Sequence, residues 1–419
     1  MSERPVRPDD LQALGELFAP ATTADPYPAY ARWRAERPVA RPRERLYVLS
    51  RFADCEAVLA DPAFGRATDG DGRPGNLGPA RRADGLAARS MLALNPPDHT
   101  RLRRLVSRAF TPARVKELEP RVEALTAELL EAAGKGPGGR FDLISGLALP
   151  LPVAVISELL GIPPAGRPRL VAWSDALARS LDPPFLISEE ERGRQRAARD
   201  EFAAYLRGLL PSRRRSPGGD LISALIGVHD AGGPLTEDEL IGLCMLLLIA
   251  GHETTRSLIG AAVLALLRHP AELAALAARP SLVGQAVEEA LRYDPPVQLV
   301  SRFALRSTEV AGITVAAGSF TLLLLGAANR DEALGADAER FSVSRGGQRN
   351  LSFGHGIHFC LGAPLARLEA AAALRQLLPL LPRLRVAGEP QWRPNVVLRG
   401  LEHLWLEESP SRAGATFDE

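Results

Sequence analysis

The chain is short of sulfur, of lysine and of net charge, and each shortage excludes something. Three cysteines in 419 residues, Cys55, Cys244 and Cys360, are too few and too scattered for a disulfide framework. Lys116 and Lys135 are the only lysines, and the formal net charge is +1. No strong field therefore points to nucleic acid or to an anionic membrane. The other basic residues are arginine, which beside abundant Ala, Gly and Pro reads as genome composition. No apolar run approaches the ~20 residues of a membrane-spanning helix. The longest, Leu240 to Gly251, has roughly half of that. Met1 to Arg7 is polar, with no apolar signal region. These absences lead to the expectation of a cytoplasmic protein without a membrane anchor.

What is present is ordinary for a globular protein: 46% hydrophobic and 24% charged residues. A chain of this length can bury a core and still enclose a cofactor. Apolar residues recur at helical spacing over residues 117–134, 149–160, 190–210, 236–268 and 361–380. Strand candidates are few and short: Arg45–Ser50, Arg302–Leu305, Gly312–Val315, Ser319–Leu324 and Val396–Leu398. The expected fold class is mainly α with a small β part; length alone leaves open two or three average domains or one single domain over residues 1–419. Residues 1–20 and 409–419 read as loop or disorder. Gly65–Ala88 and Leu181–Ser188 read as long loops, of the kind that often act as lids.

The best-marked helix starts at Thr236. Thr236 is a natural N-cap, Glu239 completes a capping box, and Leu235 and Leu240 occupy the staple positions. Pro270 stops it after His269. Its middle is apolar on nearly all sides, so it should run through the interior. There the apolar pattern is broken by Ala250-Gly251-His252-Glu253-Thr254-Thr255. A buried carboxylate and hydroxyls need partners, and threonine can bond back four residues and bend a helix. A weakened turn where Glu253 meets an arginine and a functional kink both remain open.

Cys55 and Cys244 read as small core residues. Cys360 is different. Gly354 and Gly356 suggest a tight loop, and a periodic helix begins near Leu361. A cysteine there meets the positive end of a helix dipole and free N–H groups, which stabilise a thiolate. A thiolate is a metal ligand or a nucleophile. Zinc would want further ligands than His355 and His358. A hydrolase would want a base and an orienting partner.

The segment Phe353-Gly354-His355-Gly356-Ile357-His358-Phe359-Cys360-Leu361-Gly362 resembles the haem-binding loop of cytochromes P450. Three other stretches agree, in the family's order. Ala250 to Thr255 resembles the oxygen-activating part of the long central helix. Glu289-Ala290-Leu291-Arg292 resembles the Glu-x-x-Arg signature. Pro97 to Arg103 resembles the helix that reaches a haem propionate. The resemblance runs from about Asp25 to Glu407.

It implies haem b with Cys360 as the axial thiolate of the iron, and dioxygen as co-substrate. Phe353, Gly354 and Gly362 would shape the ligand loop. His99, Arg103, Arg302 and His358 would hold the propionates. Gly251 and Ala250 would leave room for oxygen, Thr254 would hydrogen-bond it, and Glu253 would help bring protons. His252 receives no role. Glu289 and Arg292 would form a structural network closed by Arg340. The substrate pocket would involve Leu246, Val297, Gln298, Leu299, Val397 and Leu398, and would take a bulky, largely apolar molecule such as a macrolide or other polyketide, a terpenoid or a steroid-like compound. Arg66, Arg73, Arg81 and Arg82 read as solvated.

The chain departs from the family pattern where Glu332, Ala336 and Ala338 replace usual prolines, Gly335 a common aromatic, and Ala316 another proline. That touches local rigidity and not the iron chemistry. No reductase-like segment is present, so electrons are expected from a ferredoxin and its reductase, docking near Arg104, Arg349 and Arg367. The protein is expected to be a monomer. Other readings stay open: haem-thiolate coupling or peroxide chemistry without oxygen insertion, and a non-catalytic haem sensor.

Overall fold

The structure, a computed structural model, describes residues 5–66, 90–134, 139–233, 235–347 and 349–409. Most of the Gly65–Ala88 loop, with Arg73, Arg81 and Arg82, lies outside these residues, as does the tail beyond Ser409.

The elements that position the site are helices α1 (Pro8–Leu17), α2 (Asp98–Ser107), α3 (Pro150–Leu160), α4 (Arg167–Ala178), α5 (Glu237–Arg268), α6 (Val283–Tyr293) and α7 (Ala363–Leu377). The main sheet is formed by β1 (Val39–Arg43), β2 (Leu46–Leu49), β3 (Phe64–Gly65), β4 (Leu299–Ala304) and β5 (Phe320–Leu324). Its order is β1-β2-β5-β4-β3. The β2–β5 pair is parallel and the other pairs antiparallel. Near the C-terminus β6 (Gln391–Trp392) pairs with β7 (Leu401–His403). Helix dominates, as the periodicity implies.

Helix α5 starts as its sequence predicts. Thr236 Oγ1 accepts from the Glu239 N–H at 3.2 Å, and the Thr236 N–H donates to Glu239 Oε2 at 2.9 Å. Such a reciprocal cap satisfies two otherwise free donors. Glu239 also takes Arg101 of α2, 2.5 Å from its Oε1, which ties the two helices together. α5 is 32 residues long and 22 of them are buried, against α3, α4, α6 and α7 among others. It is α-helical at every position of Ala250–Thr255. The hydroxyls there bond back one turn instead: Thr254 Oγ1 to Ala250 O at 3.1 Å and Thr255 Oγ1 to Gly251 O at 3.2 Å.

Four expectations need correction. Residues 8–17 form α1 and not a loop; buried Asp10 accepts from the Arg41 N–H at 3.1 Å and pairs with Arg37 at 3.3 Å, which anchors a helix too short to persist alone. The 117–134 helix begins only at Glu119, after a separate helix Pro112–Glu117, and ends at Ala133. Pro120 lacks an N–H and clashes with the carbonyl four residues back, so one helix cannot run through it. The helix after Cys360 begins only at Ala363 and ends at Leu377. Val396–Leu398 is no strand, and only Leu398 bridges to Val297. The Asp182 carboxylate takes the N–H groups of Val396 and Val397, at 3.1 and 2.8 Å, so they cannot join a ladder. Strands at 384–386, 391–392 and 401–403 are shorter than the four alternating residues a pattern needs, and those at 39–43 and 405–408 do not alternate strictly in burial.

Candidate active site

The loop before α7 turns on two glycines. Gly354 and Gly356 both have φ +70°, a region that side chains rarely adopt. A Cβ on Gly356 would also lie 2.4 Å from Leu59 O. The Cys360 N–H donates to Phe353 O at 2.9 Å and closes the loop. The sulfur accepts from the N–H groups of Gly362 and Ala363 and lies near Arg103 and Arg367. Burial pushes the thiol up, and these groups only partly pull it back. The turn therefore offsets only part of what burial costs a thiolate at Cys360. Arg367 covers the Phe353 ring at 4.5 Å from its centroid.

Beside this loop five basic side chains converge. His99 and Arg103 lie four residues apart on one face of α2, Arg302 comes from β4, and His358 precedes the cysteine. The fifth is Arg66, which follows β3. The His99 and His358 rings are 4.3 Å apart. Arg302 and Arg66 both donate to Ser301 O, at 2.9 and 3.3 Å, and Arg103 donates to Phe359 O at 2.7 Å. Among the described residues none of the five has a carboxylate partner. His99 Nδ1, His358 Nε2 and Arg66 Nε are buried without any hydrogen-bond partner there. The electrostatic cost shows in the titration. Burial, then Arg66, His99, Arg302 and Arg103, push His358 down to about 3. Burial pushes Arg302 down to about 10, and burial with Arg302 pushes Arg66 down to about 9.

On α5 the side chains of the Leu246–Thr254 stretch are not equivalent. Leu246, Ile249, Ala250, Gly251 and Thr254 keep accessible surface, while His252, Glu253 and Thr255 are buried. The first group forms one helical stripe. Glu253 points elsewhere. Arg393, just after β6, donates to its Oε2, and His252 Nε2 lies 3.4 Å from its Oε1. Arg393 also donates to Asp175 of α4 at 2.9 Å. Burial alone would raise the Glu253 carboxyl; His252, Arg393 and Arg256 outweigh it and hold it at about 2.

The model of the family described as Cytochrome P450 matches residues 68–381. The chain belongs to the cytochrome P450 family. It is 43% identical over 404 residues to the cytochrome P450 monooxygenase PikC of Streptomyces venezuelae, covering 94% of this chain and 93% of that one. It is 39% identical over 410 residues to the 6-deoxyerythronolide B hydroxylase of Saccharopolyspora erythraea, covering 94% and 98%. The solved ligand-free CYP164A2 of Mycobacterium smegmatis superimposes with a TM-score of 0.87 at 46% identity, over 95% of this chain and all of that one. The chain is a P450 monooxygenase, an oxidoreductase.

A P450 implies a haem with thiolate-bound iron, and the residues present fit one. A cluster of cations without an anion suits two propionates. A sulfur with N–H donors but too little positive charge suits an iron ligand. The accessible stripe on a helix that is otherwise buried suits a flat guest.

Several expected residues are placed differently. Gly251 leaves no open space on its Cβ side, because Ile156 Cγ1 of α3 lies 2.9 Å from where a Cβ would be. The missing side chain lets two helices approach. Arg340 does not close the Glu289–Arg292 network with its side chain, which is exposed; only its carbonyl accepts from Arg292, at 2.8 Å. Arg292 also binds both Glu289 oxygens at 2.7 Å, and the second cation on Glu289 is Arg345, at 3.1 Å. Gln298 donates to Pro295 O at 2.7 Å and faces Tyr27, and Leu299 packs with Leu14 and Trp33. Neither joins the α5 stripe; Val397 packs on that same N-terminal cluster, Val297 packs against the cluster of Tyr47, Phe52 and Leu323, and Leu398 bridges to Val297. Arg349 and Arg367 are ion-paired, with Glu56 and Glu288. A cavity of about 350 Å³ lies among Pro112, Gly284 and Leu368, away from the α5 stripe. Arg66, Arg345 and Arg393 were missed: Arg66 was read as solvated and the others went unsingled, since nothing local marks which arginine turns inward. Among the described residues no single helix is long and apolar enough to cross a membrane.

Proposed function

We propose that this P450 holds haem b through Cys360 and uses dioxygen to hydroxylate or epoxidise a bulky, largely apolar small molecule. The observation that carries the reading is the carboxylate-free cluster of His99, Arg103, Arg302, His358 and Arg66 beside Cys360. Buried charge of one sign is costly unless a partner offsets it, and two propionates would do so. Bound haem supplies the iron that activates dioxygen. The chain's own residues do the rest. Phe353, Gly354 and Gly362 keep the ligand loop in place. Ala250 and Thr254 present the α5 face to the reacting oxygen, Gly251 lets α3 approach that face, and Glu253 provides the acid–base group on the adjoining face. Glu289 and Arg292, with Arg345, brace the fold.

Leu246 and Ile249 on the accessible stripe favour an apolar ligand, and the relative named for hydroxylating 6-deoxyerythronolide B supports a polyketide. A terpenoid or steroid-like ligand has the same apolar character. The reading includes secondary metabolism, the cytoplasm, one domain, a monomer, and electrons from a ferredoxin and its reductase. The test is the absorption spectrum of the reduced protein under carbon monoxide. A strongly red-shifted Soret band in wild type, absent in Cys360→Ala, is expected. A band that ignores Cys360, or no haem band, would sink the proposal.

A further inference from the structure

Resting on the dioxygen-using reading above, we propose that His252 donates a hydrogen bond from each ring nitrogen and so stores a proton against Glu253. The ring is wholly buried on α5, one residue from Glu253 and two from Thr254. Its Nδ1 lies 2.7 Å from Leu248 O. A carbonyl oxygen can only accept, so Nδ1 carries a hydrogen. In a neutral ring that leaves Nε2 bare. A bare Nε2 would face Glu253 Oε1 at 3.4 Å, acceptor against acceptor. Neither atom has a hydrogen-bond partner among the described residues. A hydrogen on Nε2 turns that opposition into a charge-assisted bond.

The surrounding charges favour the same state. Three carboxylates face this cluster: Glu253, Asp175 from α4 and Glu402 from β7. Two guanidiniums answer them, Arg393 after β6 and Arg256 one turn along α5. A doubly protonated His252 is the third cation and balances the set, which a partly buried cluster needs. The alternative site for the proton is Glu253 itself, and Arg393 on its Oε2 opposes that.

Storage becomes delivery by one transfer. The Nε2–H bond breaks and an O–H bond forms on Glu253 Oε1; the imidazolium becomes a neutral Nδ1–H ring and the carboxylate a carboxylic acid. Arg393 keeps its second partner, Asp175, at 2.9 Å when the Glu253 charge is lost. His252 is thus a positioning residue for Glu253 and does not touch the substrate.

The experiment is nitrogen-resolved NMR on the full-length, haem-loaded protein in its diamagnetic ferrous carbon-monoxide form. His252→Asn assigns the His252 signals among the seven histidines. The expected result is a hydrogen on both ring nitrogens of His252 in wild type, with the Nε2–H signal lost in Glu253→Gln. A bare Nε2 in wild type would overturn the proposal, as would an Nε2–H that survives Glu253→Gln. The Soret band of the same samples reads the haem assignment separately. Its absence from wild type would overturn the purpose given to the stored proton, whatever the ring nitrogens show.

Discussion

Two arginine-rich interiors of this P450 are built in opposite ways. Around Glu289, Arg292 and Arg345 meet a shared carboxylate at 2.7 and 3.1 Å, and three carbonyls, of Asn329, Ala338 and Arg340, take the remaining Arg292 donors. Around His358, three guanidiniums and His99 converge and no carboxylate answers among the described residues. The first cluster is complete within the chain and reads as architecture. The second is incomplete without an anionic guest and reads as a binding site. Burial of charge alone therefore says little; what matters is whether the chain supplies its counter-charge. The Glu253 cluster stands between the two: it has carboxylates and guanidiniums, yet it lacks balance until His252 joins.

The contrast can be broken most forcefully at Arg292. Arg292→Ala removes one side of a buried, multiply bonded pair and should cost about 3–5 kcal/mol. Denaturant unfolding measures this, and a loss below ~1 kcal/mol would mean that the cluster is not architectural. Arg302→Ala should behave in the opposite sense. It relieves repulsion on Arg66, so the haem-free chain should keep its stability, while haem retention falls by roughly 10- to 100-fold, the worth of a charged hydrogen bond. Haem transfer to a scavenger globin checks it; unchanged retention would remove Arg302 from the binding site.

A smaller effect concerns acid. The folded-state carboxyl of Glu253 is held at about 2, below its ordinary value of 4.5. Between those values the unfolded chain binds a proton that the folded chain refuses, so stability is present above pH 4.5 and is lost as pH falls toward about 2. Glu253→Gln should flatten that limb of the stability curve, and an unchanged slope would show that the ion pair does not form. The smallest effect is at Arg340, which lends only its carbonyl. Arg340→Ala should stay within about 0.5 kcal/mol of wild type, and a larger loss would return its side chain to the network.

The ligand loop was legible because its requirements are local. Gly354, Gly356 and Cys360 lie within seven positions, and positive φ at the glycines needs no distant partner. The start of α5 was legible for the same reason, since Thr236 and Glu239 are one turn apart. The α1 helix was not legible, because its anchor, Asp10, finds its partner 31 residues away at Arg41. Gln298 was misplaced because a strand end shows which faces alternate but not which face meets the pocket. The Gly251 expectation erred in kind: a glycine signals a close approach without naming what approaches, here Ile156.

What the sequence determined by itself is the mainly helical class, the capped central helix, the strained cysteine loop and the identity of the family. Each rests on residues within a turn or two of each other, where backbone geometry and hydrogen bonding are decided by neighbours. Tertiary structure decided which charges meet. All but two of the 51 basic residues are arginine, so no local mark distinguishes Arg393, which crosses 140 positions to Glu253, from one left in water. A buried charge takes whichever partner the folded chain brings within reach, and that is a property of packing.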